Sequence, residues 1–413
     1  MRILFLHQNF PGQFKHLAPA LVAQGHVVHA LKLTRQPPSL WQGVRVHSYQ
    51  PQRGSTPHIH PWVMDLETKV IRAEAVMRWA TQQRDEFGFT PDVVMAHPSW
   101  GESLLIKQVW PHTKLGLFCE MYYQTQGQDV GFDPEFANTA VDDSSRLFLK
   151  NTVNILHNDL VDAAISPTHW QASTYEPQMR ARIQVVHDGI DTAHIQPHAQ
   201  ACLRLGDHQW TRSDEVVTFV SRNLEPYRGY HVFMRALPTL LRQRPQAQVL
   251  IVGGDEVSYG AKPPPGQTWK QIFIDEVRGQ ISDDDWSRVH FLGRIPYDAF
   301  LTMLQISRVH VYLTYPFVLS WSLIEAMSSA CAIVASDTPP VLEAIEDGVT
   351  GKLVPFFEPL TLAHTVADLL DNPEERASLG AQARARAVER YDLKTVCLPQ
   401  QLEWVQSLLA KSP

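Results

Sequence analysis

Two series of short apolar runs, rich in β-branched residues, divide the chain. The first comprises RILFLH (2–7), HVVHALKL (26–33), VRVHSYQ (44–50), DVVMAH (92–97), KLGLFCE (114–120), DAAIS (162–166) and IQVVHDG (183–189). The second comprises VVTFVSR (216–222), AQVLIVGG (247–254), VHFLG (289–293), VHVYLTY (309–315), CAIVAS (331–336) and GKLVP (351–355). Continuous rather than alternating runs suit strands buried on both faces of a parallel sheet, and helical patterns lie between them. One such helix is predicted from Leu66 to Gln83, with Leu66, Val70, Ala73, Met77 and Ala80 on its buried stripe. The stretch between the two series (193–215) is polar and irregular and reads as a connector. SYGAKPPPGQTWKQ (258–271), with three consecutive prolines, reads as a surface insertion. The fold class expected is α/β: two doubly wound Rossmann-like domains, 1–190 and 191–390.

Composition narrows the picture little but usefully. A chain of 413 residues exceeds the usual span of one core, which agrees with two domains. With 19% charged residues and a formal charge of -7, no nucleic-acid partner is expected. Cys119, Cys202, Cys331 and Cys397 form no CxxC pair or spaced ligand set, so the reading is a reduced, cytoplasmic protein. No apolar run approaches bilayer-spanning length, and any membrane contact is expected to be peripheral, at the inner face of the plasma membrane. Lys69, Arg72, Arg78 and Arg84 are diluted by Glu67, Glu74 and Asp85, and that helix face reads as solvated.

Open parallel sheets take ligands at the carboxyl ends of their strands. The polar residues there are His7, Gln8, Asn9, Pro11, Gly12, His97, Glu120 and Asp188 in the first series. In the second they are Arg222, Arg228, Gly253, Gly254, Arg294, Ser320, Ser322 and Glu325. Arg222 and Arg228, near the amino end of a helix starting around Ser320, suit two adjacent phosphates; the alternative is that they are counter-ions for Glu225. Glu325, one turn into that helix, suits the hydroxyls of a ribose; the alternative is a first-turn acid favoured by the helix dipole.

FVLSWSLIEAMSSACAIVASDTPPVLEAIEDGVTGKLV (317–354) resembles the carboxy-terminal signature of the family 4 retaining glycosyltransferases, which have the GT-B fold. FVSRNLEPYRG (219–229) looks like the family's G-R-L-x-x-x-K-G, with Arg228 standing in for lysine. LIVGG, VHFLGRIP, VVMAHPSW and VVHDGID are similar to further family motifs. The resemblance implies two domains facing across a cleft, with the last helix, 391–413, packing back on the first. It implies transfer of a hexose, with retention, from a nucleotide-diphosphate sugar such as UDP-glucose to a polysaccharide or lipid-linked glycan acceptor. Neither a cofactor nor a metal is implied.

The same resemblance distributes roles. Arg222, Arg228 and the amides near Ser320 and Trp321 would stabilise the leaving diphosphate, and Glu325 would grip the ribose. His97 would hold the donor sugar, Gly12 would let the backbone approach the diphosphate, and Ile295 would meet the base. Gly253, Arg294 and Ser322 complete the donor side; Gln13, Glu120 and Tyr122 mark the acceptor side, together with the loops 36–43 and 122–136. Phe317 stands where the signature has its first glutamate, which touches the donor sugar in the family.

SDDDW (282–286) reads as a helix cap and solvated turn and HIHP (58–61) lacks a third ligand, so neither is a metal site. A dinucleotide-dependent oxidoreductase would need G-x-G-x-x-G after a first strand, and Gly12 stands alone. Two readings remain beside transfer: a non-catalytic nucleotide-sugar-binding partner subunit, motivated by Phe317, and a GT-B sugar-nucleotide epimerase.

Overall fold

The computed structural model describes residues 1–137 and 143–410, and the chain separates into two compact units. The first runs to Gln126, resumes beyond Ala137 through Asp188, and adds the chain from Lys394. The second consists of Gly127–Ala137 and Gly189–Leu393. The segment Gly127–Ala137, which the sequence places in an acceptor-reading loop of the first domain, thus belongs to the second unit.

The first unit holds one eight-stranded sheet in the order β3-β4-β2-β1-β5-β6-β7-β8. Its strands are β1 (Arg2–Leu6), β2 (Val27–Leu33), β3 (Ser39–Trp41), β4 (Val44–Tyr49), β5 (Val93–Ala96), β6 (Lys114–Phe118), β7 (Ala163–Ser166) and β8 (Ile183–Val185). All pairs are parallel except β3 with β4. The register Leu6↔Ala96 brings the next residues, His7 and His97, to the same edge. The helix Leu398–Ala410 sends Trp404, Val405 and Leu408 into this unit's core, and Gln401 donates to the His187 carbonyl at 3.0 Å. Gly116 makes room for it: a Cβ there would lie 2.9 Å from Leu408 and 3.0 Å from Trp404. Positions 411–413 of the expected last helix fall outside the described residues.

The second unit opens with an antiparallel pair, β9 (Cys202–Leu205) and β10 (His208–Thr211), where the sequence suggested only a connector. Gly206, at φ 58, makes the two-residue turn, and Trp210 is buried; the pair was concealed by its polar composition. A parallel sheet follows in the order β13-β12-β11-β14-β15-β16. Its strands are β11 (Val216–Asn223), β12 (Gln248–Gly254), β13 (Val289–Gly293), β14 (Val309–Tyr312), β15 (Ala332–Ser336) and β16 (Lys352–Val354). Two doubly wound parallel sheets are the content of the expected GT-B class.

Three local expectations need correction or detail. The helix 66–83 extends over Pro61–Phe87, and Ile71, Ala73, Val76 and Ala80 form its buried apolar face. Val70 is exposed instead, because at 3.6 residues per turn it lies about a quarter turn around the helix from the buried Ala73, Val76 and Ala80. The insertion 258–271 is not merely surface chain: Ser258, Tyr259 and Gly260 are anchored from below, and Trp269 already begins the helix Trp269–Arg278. Among the described residues no helix is long and apolar enough to cross a membrane, and all four cysteines are free.

Candidate functional site

In the second unit, β11 ends at Asn223 and the chain turns through Pro226–Arg228. Gly229 adopts φ 70, and a Cβ there would meet Leu313 at 2.3 Å, so this turn packs tightly against the chain beyond β14. Arg228 is buried. Its Nη1 donates to Thr314 Oγ1 at 2.8 Å and to the Val318 carbonyl at 3.1 Å. Its guanidinium lies 5.4 Å from the Tyr259 ring centre and 5.7 Å from that of Phe317. Both hydrogen-bond partners are neutral, so its charge is oriented but not cancelled by them. Arg222 is exposed.

Glu225 is not the counter-ion of either arginine. It is fully buried and accepts amide hydrogens from Ser258 at 3.1 Å, Tyr259 at 3.3 Å and Gly260 at 3.2 Å. Three backbone amides, rather than a cation, are its hydrogen-bond partners.

The helix Trp321–Ser328 begins as its sequence implies, with Ser320 as N-cap accepting from the Ser322 amide at 3.3 Å. The two hydroxyls are 2.9 Å apart, and the Ser320 amide donates to the Tyr312 hydroxyl at 3.0 Å. The Ser320 and Ser322 amides therefore serve the fold, and an anion here would rely on Arg228 and the helix dipole more than the sequence suggested. Glu325 is buried and accepts from the Tyr297 hydroxyl at 2.6 Å. Burial and the Glu325 carboxylate push the Tyr297 phenol well above its ordinary range, fixing it as a donor. Tyr297 escaped sequence reasoning, since RIPY offers only a helix start.

Around the same strand ends, Arg294 donates to Asn223 Oδ1 at 3.1 Å and Glu256 at 2.5 Å, and Asn223 donates to Ser258 Oγ at 2.7 Å. Gly254 lies against Asn223 and Arg294, whereas a Cβ at Gly253 would meet Leu224 at 2.7 Å, which gives that glycine a packing role. Ile295 packs half-buried on the core and Trp321 does likewise. Phe317 is buried, edge-on to Tyr227 at 5.1 Å and tilted on Tyr259 at 4.9 Å.

The carboxyl edge of the first unit is built from titratable groups. His97 is 2% exposed, and its Nδ1 accepts the Ser99 amide at 3.3 Å, so the ring proton of the neutral form sits on Nε2. That Nε2 lies 3.1 Å from Glu120 Oε2, while Glu120 Oε1 accepts from Gln13 at 2.7 Å. Burial opposes the Glu120 charge, but His97 and Gln13 together hold its carboxyl below the usual range. Burial and nearby His97 lower the His7 pKa to about 4, leaving that ring neutral at pH 7. Gly12, at φ 48, lies against His7, where a Cβ would come within 2.5 Å of the imidazole. Tyr122 is tied elsewhere: its hydroxyl donates to Glu176 at 2.9 Å and its amide to Thr174 at 3.0 Å. His97, Glu120 and Gln13 are thus brought together, with His7 beside them, and Tyr122 is not joined to them by these bonds.

Asp133, Glu135 and His231 of the second unit place possible ligand atoms within 4.8 Å of one another. Each is already engaged. His231 Nε2 lies 2.9 Å from Asp133 Oδ2, Tyr315 donates to Asp133 at 2.7 Å, and Arg235 grips Glu135 through two nitrogens at 2.7 and 2.8 Å. These contacts suit the docking of Gly127–Ala137 better than a cation, which Arg235 would repel. Ser282 caps Asp283–Trp286, as its motif implied, and His60 of the other motif caps Pro61–Phe87.

Comparison with known proteins agrees with this architecture. The profile of the glycosyl transferase family 4 group matches residues 24–195, and that of the glycosyl transferases group 1 matches 207–386. Phosphatidyl-myo-inositol mannosyltransferase of Mycolicibacterium smegmatis is 31% identical over 216 residues, 51% of this chain and 48% of that protein. D-inositol 3-phosphate glycosyltransferase of Streptomyces scabiei is 26% identical over 213 residues, 50% of this chain and 45% of that protein. The chain therefore spans about half the length of the curated relatives it matches. Among solved structures, sucrose-phosphate synthase from Thermosynechococcus elongatus superposes with a TM-score of 0.72 at 17% identity, covering 100% of both chains. HepE from Anabaena, in complex with UDP-glucose, gives 0.66 at 17%, covering 98% of this chain and 99% of that one. With both profiles matched in order along two doubly wound units, the chain belongs to the family 4 glycosyltransferases and has the GT-B fold.

Proposed function

We propose that this protein is a retaining, metal-independent glycosyltransferase that moves a hexose from a nucleotide-diphosphate sugar, UDP-glucose or a related donor, to a polysaccharide or lipid-linked glycan. The observation that carries the reading is Arg228: a buried guanidinium at the carboxyl edge of a parallel sheet, oriented by two neutral acceptors, next to a helix whose second turn presents Glu325. A diphosphate leaving group needs such a charge, and a ribose offers the hydroxyls a carboxylate accepts.

In this reading the bond from the anomeric carbon to the β-phosphate oxygen breaks and the acceptor oxygen bonds to that carbon on the same face. The acceptor proton passes to a phosphate oxygen, and Arg228, helped by Arg222, stabilises the charge left on the nucleoside diphosphate. His97, its proton fixed on Nε2 by Ser99, serves the sugar, and Glu120 and Gln13 serve the acceptor end. Protein cations take the place of a metal, and no cofactor is used. The relatives named above, two of them transferases onto inositol-containing molecules by name, and a UDP-glucose complex of a structural neighbour, support donor and acceptor of these classes.

The test is nucleotide release from UDP-, GDP- and ADP-hexoses, with and without glycan and glycolipid acceptors, followed by NMR of the product's anomeric proton. Acceptor-stimulated release with retained configuration is expected. Binding of a nucleotide without release to any acceptor would favour the partner-subunit reading, which Phe317 motivates.

A further inference from the structure

Between Gly254 and the helix Trp269–Arg278 the chain forms a proline-rich loop, and its first part is fixed to the site with unusual firmness for an insertion. Glu225, fully buried, takes the amide hydrogens of Ser258, Tyr259 and Gly260, and Asn223 adds a hydrogen bond to the Ser258 hydroxyl. A buried carboxylate spent on three consecutive amides is expensive to desolvate, and what it fixes is the place of Tyr259. Gly260 keeps the loop close, since a Cβ there would lie 3.3 Å from the Tyr227 ring.

Tyr259 is the one member of its aromatic group that faces outward. Its ring packs on Tyr227 at 5.8 Å and on Phe317 at 4.9 Å, both of which are 8% exposed, yet it is itself 40% exposed. It also lies 5.4 Å from the Arg228 guanidinium. A phosphate held by Arg228 therefore has the Tyr259 ring within reach of whatever is attached to it. The nucleoside side of such a ligand has its own polar partners in Glu325 and Tyr297.

We propose that Tyr259 is a specificity-determining residue of the donor site, its ring seating the apolar face of the transferred sugar, and that Glu225 is a positioning residue acting through it. The inference rests on the functional reading above. It makes the exposed Tyr259 ring, backed by the buried Phe317, the surface that the sugar meets, and such a ring recognises the C–H face of a pyranose rather than its hydroxyls.

The test is isothermal titration of the wild type, Y259A, Y259F, E225Q and the Y259A/E225Q double variant with UDP, GDP and ADP and with the corresponding UDP-glucose, GDP-mannose and ADP-glucose. For the pair that the wild type binds, Y259A should weaken the sugar nucleotide roughly tenfold, as expected for loss of one aromatic contact, and leave the free nucleotide within about twofold. Y259F should retain sugar-nucleotide affinity. E225Q should share the selective loss, and the double variant should be no worse than Y259A, because the two act as one unit. Equal weakening of both ligands by Y259A, or no weakening of either, overturns the proposal. Additive losses in the double variant overturn the role of Glu225. A wild type that binds no nucleotide at all overturns the functional reading itself, and a wild type that binds nucleotide with an indifferent Y259A overturns this inference alone. Tyr259 lies on the surface, so Y259A and Y259F decide the matter even if E225Q does not fold.

Discussion

Both sheets are doubly wound, and their carboxyl edges have opposite chemistry. In the second unit the central group is Arg228, a guanidinium oriented by a threonine hydroxyl and a carbonyl. In the first unit the edge is a cluster of imidazole and carboxylate groups: His7 and His97 stand side by side because Leu6 pairs with Ala96, and His97 and Gln13 hold the Glu120 carboxyl below its usual range. One edge is suited to holding a permanently anionic leaving group. The other presents imidazole and carboxylate groups that can hydrogen-bond a neutral polyol.

The comparison can be broken most forcefully at Arg228. R228A should lower the turnover number by about 10²- to 10³-fold, the size of losing one preorganised electrostatic stabiliser, and steady-state kinetics will show it. Next is Glu325: E325Q should weaken the bound nucleoside diphosphate by roughly 1.5–3 kcal/mol, read by calorimetry, since a charged acceptor is lost while the shape is kept.

A smaller effect sharpens the contrast in pH dependence. Burial lowers the pKa of His7 and of His157 to about 4, from 6.5. Between those values the unfolded chain binds the protons and the folded chain does not, so their stabilisation is complete above pH 6.5 and is lost as pH falls toward 4. Urea midpoints should fall over that window, and H157Q should flatten the slope. Glu120, whose folded pKa is depressed, contributes stability above the ordinary carboxyl range and loses it only as pH falls through the lower folded value. Smallest of all, R222A should cost nucleotide binding no more than about 1 kcal/mol, because an exposed cation is well screened.

Much of this was legible in the sequence. Continuous apolar runs marked the strands of both sheets except the exposed β3, which lies inside the expected loop 36–43, and the helix start around Ser320 and the Asp283–Trp286 turn were local enough to be read from neighbours. What escaped was set by contacts distant in sequence. Val70 was assigned to a buried face that only packing could define. Glu225 looked like a partner for nearby arginines, but its partners are amides more than thirty residues on. Asp129, Asp133 and Glu135 gave no sign that they dock on Tyr227, His231 and Arg235 of the second unit. The β9–β10 pair was hidden because only Leu203 and Trp210 in it are buried, one on each short strand, too few to mark an apolar run.

The measurement that tests the central claim most directly is calorimetric titration of UDP, GDP and ADP into the wild type and R228A. The account predicts that one nucleotide binds the wild type and that R228A loses roughly 1.5–3 kcal/mol of that affinity, the range for hydrogen bonds to a charged group. Undiminished binding by R228A would contradict it, because the diphosphate would then lie somewhere other than the edge built around that arginine.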